Sequence, residues 1–294
     1  MYTILKSATK EVKIGINRPF VIIGEKINPT GHKKLAAALE QGDFDYIRSL
    51  VERQIGWGAE VLDVNVGVPG MDEISLIPRI VQLVASISDA PLCLDSGNPE
   101  VLAAGLAVAP GKPLVNSVSG EEKRLLSILP IVKDRGAAVI GLTMDDNGIP
   151  ATAEERVAVA GKILERAAKI GIPGEDVIID PLVLTVGSDS KAAFVTLQTI
   201  DLLRKEFGVN INLGASNVSF GLPDRLSINQ AFLALAMQVG ATCSITDPVK
   251  MGATVKATDL LLSRDANSIR YLKYFRAVEK LRTQEAEQAA GKHG

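Results

Sequence analysis

The sequence predicts an α/β fold, a single-domain (β/α)8 TIM barrel, on three observations. Eight short apolar, β-branched segments recur, each closing on a polar residue. Continuous apolar runs of this length suit strands buried on both faces, as in a parallel sheet. Helix-like segments fill the gaps, and successive polar ends lie 21 to 38 positions apart, most of them close to the ~30 residues of a βαβ unit. The length of 294 residues fits one barrel of about 250 residues with additions.

Residues 1–20 form an extension carrying Lys6, Lys10, Glu11 and Lys13, where a secretory signal would need an apolar core. The strands expected next are VIIGE (21–25), VLDVN (61–65), LCLD (92–95), LVNS (114–117), VIGLT (139–143), VIID (177–180), INLGASN (211–217) and CSITD (243–247). Between and after them, helices are expected over 44–57, 72–88, 98–107, 121–135, 153–170, 190–207, 227–239 and 249–262. Apolar residues recur there at helical spacing, as in Ile47, Leu50, Val51 and Ile55. Gly136, Gly171, Gly208 and Gly240 mark helix ends, and Asn98 before Pro99 and Glu100 is a good helix start. No low-complexity linker separates Phe20 from Leu262, so the barrel is expected over 21–265. The last segment, 266–294, reads as a helix on Ile269, Leu272, Phe275, Val278 and Leu281 with a frayed tail, EAEQAAGKHG.

Composition excludes several functions. A hydrophobic share of 47% with 22% charged residues belongs to a folded globular chain. The net charge of −2, without a Lys/Arg cluster, lacks the footprint of phosphate-backbone binding, so no nucleic-acid partner is expected. No apolar run approaches the ~18 residues of a spanning helix, so no membrane partner is expected and the chain reads as cytoplasmic. Cys93 and Cys243 sit inside apolar runs and read as buried free thiols. His32 and His293 are the only histidines, and without a carboxylate cluster beside them no metal site is expected. Chemistry is left to carboxylates and amides.

Parallel barrels open the C-terminal ends of their strands onto one face, where active sites sit. Glu25, Asp63, Asn65, Asp95, Asn116, Asp180, Asn217 and Asp247 would form one ring there. Such a ring offers acceptors and amide donors but few cations, which suits a neutral planar heterocycle with N–H, NH2 and C=O edges. Each member also has a local reading: Asp95 and Asn217 suit capping, Asn28 a turn, and Asp247 before Pro248 a helix start. Six or more polar ends in register exceed what capping alone explains. VNVGVPG and LTVGSDS fit neither the dinucleotide nor the P-loop pattern and read as loops.

IIGEKINPTG, VLDVNVG, LCLDSGN, LVNSVSG, IGLTMDDNGIP, IIDPL and GASNVS resemble, in the same order, motifs of the pterin-binding methyltransferases. The resemblance is to the methyltetrahydrofolate:corrinoid/iron–sulfur protein methyltransferase family and the folate domain of cobalamin-dependent methionine synthase, over about residues 20–265. It implies a homodimeric barrel that binds 5-methyltetrahydrofolate. The N5 methyl group is exchanged with the cobalt of a corrinoid (cobalamin) carried by a partner corrinoid protein, in acetyl-CoA synthesis or O-demethylation. Carried onto this sequence, it implies that Asp95, Asn116 and Asp180 hydrogen-bond the pterin and that Asn217 contacts N5 and assists its protonation. It places Glu25, Asp63 and Asn65 at the pocket, and Arg225 as a loop arginine nearby. Phe220 in FGLPDR departs from the polar residue of the acetogenic enzymes and is closer to the aromatic of the methionine synthase domain, which leaves the corrinoid-side contacts open. A dihydropteroate synthase-like enzyme, whose Lys and Ser-Arg signatures are absent here, a non-catalytic folate-binding module and a purely structural barrel are the alternatives.

Overall fold

Two-residue alternation along short apolar strands decides how this chain packs. The computed structural model describes residues 1–291, and His293 lies outside them. A hairpin of β1 (Thr3–Lys6) and β2 (Glu11–Ile14) comes first. It is followed by β3 (Val21–Ile27), β4 (Val61–Val64), β5 (Leu92–Asp95), β6 (Leu114–Ser119), β7 (Ala138–Leu142), β8 (Val177–Asp180) and β9 (Cys243–Thr246). These seven later strands pair in parallel in the order β8-β7-β6-β5-β4-β3-β9.

Residues 210–213 fill the gap as the eighth, irregular strand. Ile179 N donates to Asn210 O and Asn212 N to Ile179 O, both at 2.9 Å. On the other side, Thr242 N donates to Ile211 O and Ile245 N to Leu213 O, both at 3.0 Å. The barrel is thereby nearly closed, a (β/α)8 fold. The strand expected over 211–217 is corrected at its end: the chain leaves the barrel at Gly214 and turns into a 3-10 helix, Ala215–Ser219.

Around the barrel run α1 (Lys33–Gln41), α2 (Phe44–Gly56), α3 (Glu73–Ile87), α4 (Pro99–Val108), α5 (Glu122–Arg135), α6 (Ala153–Lys169), α7 (Ala192–Glu206), α8 (Arg225–Val239) and α9 (Pro248–Leu261). Side-chain oxygens of Asp43, Asp72, Asn98, Thr152 and Asp247 cap α2, α3, α4, α6 and α9. Helix α1 is absent from the sequence expectation because its cap is an unusual one, the His32 ring nitrogen accepting from Leu35 N. A further helix, α10 (Ile269–Gly291), packs Tyr274 and Val278 against Trp57. It runs as helix through Gly291, where Glu, Gln and Ala are good helix formers even without an apolar face.

Alternate strand residues face two different cores. Outward residues such as Ile22, Leu62, Leu94, Val115, Val139 and Ile179 meet the helices. Inward residues Val21, Ile23, Val61, Cys93, Leu114, Ile140, Ile178 and Cys243 fill the barrel, together with Leu5, Val12 and Ile14 of the hairpin. Both cysteines are buried and free.

The hairpin therefore plugs the N-terminal end of the barrel. Its backbone bonds Lys112 in both directions at 2.9 Å, and Asn210 Nδ2 donates to Thr3 Oγ1 at 2.9 Å and Ile14 O at 3.1 Å. Lys112 Nζ pairs with Asp176 at 2.6 Å beside it. Ile14 is fully buried, so Ile14→Ala is expected to lower the free energy of unfolding by about 2–5 kcal/mol. Urea unfolding measures this; an unchanged midpoint would mean that the hairpin is not part of the core.

Candidate functional site

Continuing the inward series of each strand by two residues exchanges apolar side chains for polar ones. Val61 is followed by Asp63, Cys93 by Asp95, Leu114 by Asn116 and Ile178 by Asp180. The same alternation in 210–213 points Asn212 inward, where it is buried beside Asp180. The apolar filling thus ends at a polar ring on the C-terminal face.

The ring is wired by carboxylate–carboxamide pairs. Asn65 Nδ2 donates to Asp95 Oδ2 at 3.0 Å, Asn116 Nδ2 to Asp63 Oδ1 at 3.3 Å and Asn212 Nδ2 to Asp180 Oδ2 at 2.8 Å. Asp95 and Asn116 lie level in the β5–β6 register. Asn28 has both of its expected characters: its oxygen accepts from Thr30 N at 2.9 Å, a turn bond, while its amide reaches Asp95 at 3.4 Å. Asn65 Oδ1 accepts from Gly67 N at 2.7 Å, which fixes the amide so that its NH2 faces the carboxylate.

Electrostatics separate the carboxyls. Asp63 is only 1% exposed; burial, then the neighbouring Asp95 and Glu25 charges, push its pKa well above the ordinary value. Burial also raises Asp95, with the Asn65 amide opposing it. Asp180, 5% exposed, is pushed by burial up to about 6, against the opposing bonds from Leu182 N and Asn212 and the more distant Arg156 charge. Deep acids with raised pKa values can donate a proton in a hydrogen bond as well as accept one. A ligand edge that alternates donors and acceptors matches that mixture.

Glu25 and Asp247 sit apart from these pairs. Asp247 caps α9 through Val249 N at 3.0 Å and pairs with Lys26 Nζ at 2.9 Å, while Glu25 lies 3.4 Å from the same ammonium. They line a cleft of about 350 Å³ with Arg225, Asn229 and Lys250.

Asn217 is not at a strand end. It lies on the 3-10 helix after Gly214, exposed at the rim, and a Cβ built at Gly214 would come within 3.3 Å of its amide nitrogen. Arg225, expected in a loop, is the first residue of α8. Its Nε donates to Ser219 Oγ at 3.1 Å, one Nη to Ser216 O at 2.8 Å, and its guanidinium lies over the Phe220 ring at 5.5 Å.

Sequence reading missed Asn212, Gln54 and Arg156. Asn212 was hidden by a strand end placed four residues late. Its signal was a lone polar residue between Ile211 and Leu213. Gln54, buried in α2, accepts from Lys26 N at 2.8 Å and fits only because residue 24 is glycine, where a Cβ would collide with its oxygen. Among the described residues no metal-binding cluster of His, Cys, Asp and Glu occurs, and no helix is long and apolar enough to cross a membrane.

The raised pKa of Asp180 has a signed consequence. In the unfolded chain this carboxyl ionises near its ordinary 3.8, in the fold at about 6, so between those values the native state holds the extra proton and stability falls as pH rises. Relative to Asp180→Asn, the wild-type chain is expected to lose up to about 3 kcal/mol across pH 4–7. Urea unfolding of both proteins across that range is the check; a constant difference would mean that Asp180 is not shifted.

Comparison with known proteins agrees with this geometry. The pterin binding enzyme family matches residues 24–247. The chain is 34% identical over 265 residues to the methylcorrinoid:tetrahydrofolate methyltransferase of Eubacterium limosum, covering 87% of this chain and 96% of that protein. It is 30% identical over 244 residues to methionine synthase of Mycobacterium tuberculosis, covering 79% of this chain but only 20% of that protein. In fold it is similar to dihydropteroate synthase of Xanthomonas albilineans, solved with indole-2-carboxylic acid and 6-chloroguanine. The TM-score is 0.66 at 22% identity, covering 91% of this chain and all of that one. With the family match spanning the barrel from β3 to the cap of α9, the chain belongs to the pterin binding enzyme family.

Proposed function

We propose that this chain is a methyltransferase that exchanges the N5 methyl group between 5-methyltetrahydrofolate and the cobalt of a corrinoid held by a partner protein. The observation that carries the reading is the hydrogen-bonded set of Asp95, Asn116, Asp180 and Asn212 at the barrel mouth, the last two buried and the first two half-buried, a match for a pterin edge. The similarity to a methylcorrinoid:tetrahydrofolate methyltransferase over nearly its whole length supports it. The acids and amides of the ring hold the heterocycle. Asp63 keeps the Asn116 amide oriented from below, and Asn65 does the same for Asp95.

The chemical difficulty is the leaving group. The electron pair of cobalt(I) forms the new bond to the methyl carbon as the C–N5 bond breaks, and its pair remains on N5. That nitrogen departs as a poor anion unless it gains a proton before or during transfer. Water at the open mouth supplies that proton, and Asn217, exposed at the rim, stabilises the resulting N5–H group through its side-chain oxygen more in the transition state than in the ground state. Exposure of Asn217 and Phe220 leaves this side of the mouth accessible to a corrinoid approaching on another protein. An enzyme accelerates both directions of transfer, and the direction in the cell follows the supply of the two methyl donors.

Asn217→Ala is expected to slow methyl transfer by about 10²- to 10³-fold with the fold intact. Turnover with cob(I)alamin and methyltetrahydrofolate, followed by the cobalt spectrum, measures it; wild-type turnover would remove Asn217 from the mechanism. Asp95→Asn is expected to weaken methyltetrahydrofolate binding by about 10- to 100-fold, because a carboxylate accepting two N–H groups becomes in part a donor. Calorimetry that returned an unchanged affinity would refute that role. Formation of dihydropteroate from a pterin pyrophosphate and 4-aminobenzoate, with no methyl transfer to any corrinoid protein, would favour the synthase reading instead.

A further inference from the structure

Arg156 projects from α6 and is only 1% exposed. Its guanidinium donates to three backbone carbonyls. Nε bonds Pro150 O at 3.0 Å, in the loop between β7 and α6, and one Nη bonds both Pro181 O and Leu182 O at 2.9 Å. Those last two residues follow Asp180 directly. Leu182 has φ +62°, a left-handed conformation that crowds the Cβ of any residue but glycine and persists only where the surroundings dictate it.

Here they do. The N–H of Leu182 donates to Asp180 Oδ1 at 2.9 Å, and its carbonyl accepts from both Arg156 and Thr196 Oγ1, the latter at 3.2 Å. The 180–182 turn thus closes on the carboxylate from one side and on a buried cation from the other. A planar guanidinium suits this task, since its fixed fork serves several carbonyls at once where an ammonium would act as a point charge.

We propose that Arg156 is a positioning residue: by locking the left-handed turn at Leu182 it aims the Asp180 carboxylate into the polar ring, and through Pro150 it ties that aim to the β7–α6 loop. The proposal rests on the reading that Asp180 binds the pterin. Arg156 does not itself reach the substrate. Its charge acts on Asp180 from the α6 side. The other groups facing that carboxyl are the Asn212 amide, the N–H groups of Leu182 and Gly214, and the buried Cys243 thiol on β9.

The test follows the Asp180 carboxyl by carbon NMR of aspartate-labelled protein, its resonance assigned with Asp180→Asn, alongside calorimetric binding of methyltetrahydrofolate. Arg156→Gln is expected to move the Asp180 titration midpoint upward by about half a unit or more, since a stabilising cation is lost. Affinity is expected to fall by about 10-fold in the wild-type background and by less than about 2-fold in the Asp180→Asn background, because coupled groups are not additive. Arg156→Lys keeps the charge and loses the fork. It is expected to hold the midpoint near the wild-type value while still weakening binding, and it carries the cycle if Arg156→Gln does not fold. An unmoved midpoint in Arg156→Gln, or an equal loss of affinity in both backgrounds, overturns the proposal. An Asp180→Asn protein that binds methyltetrahydrofolate as wild type would instead defeat the pterin reading of Asp180, while an unmoved midpoint in Arg156→Gln would still overturn the contact between Arg156 and that carboxyl.

Discussion

Burying a carboxylate is tolerable only if something satisfies it, and this requirement organises the upper half of the barrel. An unpaired polar group taken from water costs several kcal/mol, and an isolated charge far more. Asp63, Asp95 and Asp180 each meet it with a carboxamide from a different strand or loop. The pairing holds both partners in one geometry and leaves their remaining donors and acceptors facing the mouth. The same bonds that make burial tolerable thus hold these groups oriented before any ligand arrives.

The opposite end of the barrel solves the complementary problem. Its interior is apolar and would open to water beneath the ring were it not for Leu5, Val12 and Ile14 of the hairpin. With the floor sealed, the water-facing opening of the interior lies on the polar side, and desolvation there raises the carboxyl pKa values. The hairpin and the polar ring thus close the two ends of one interior. Asn210 makes the connection concrete: it bonds the hairpin from the segment that carries Asn212 into the ring.

Much of this was legible in the residues because a parallel strand is a periodic object. Continuous apolar runs marked the strands, and the aspartates of VLDV, LCLD and VIID fell where alternation turns them inward. The reading faltered where periodicity did. INLGASN reads as one strand to Asn217, yet only its first residues pair, since Gly214 ends the extended run and Asn212 holds the inward position. Helix α1 escaped notice because a histidine caps it. Residues 1–20 carried no motif, since the value of an alternating hairpin such as EVKI depends on what it covers.

Fold class, the order of strands and helices, the family and most members of the polar ring are readable from residues alone, because they follow from local periodicity and from short motifs at strand ends. Which carboxyl pairs with which amide, the burial that pushes Asp180 up to about 6, the exposure of Asn217 on the rim and the bonds from Arg156 to the turn beneath Asp180 emerge only with the three-dimensional packing. Those are properties of distance and desolvation between residues far apart in the chain. No local pattern encodes them, since the dielectric and the hydrogen-bond partners of each group exist only once the barrel has closed.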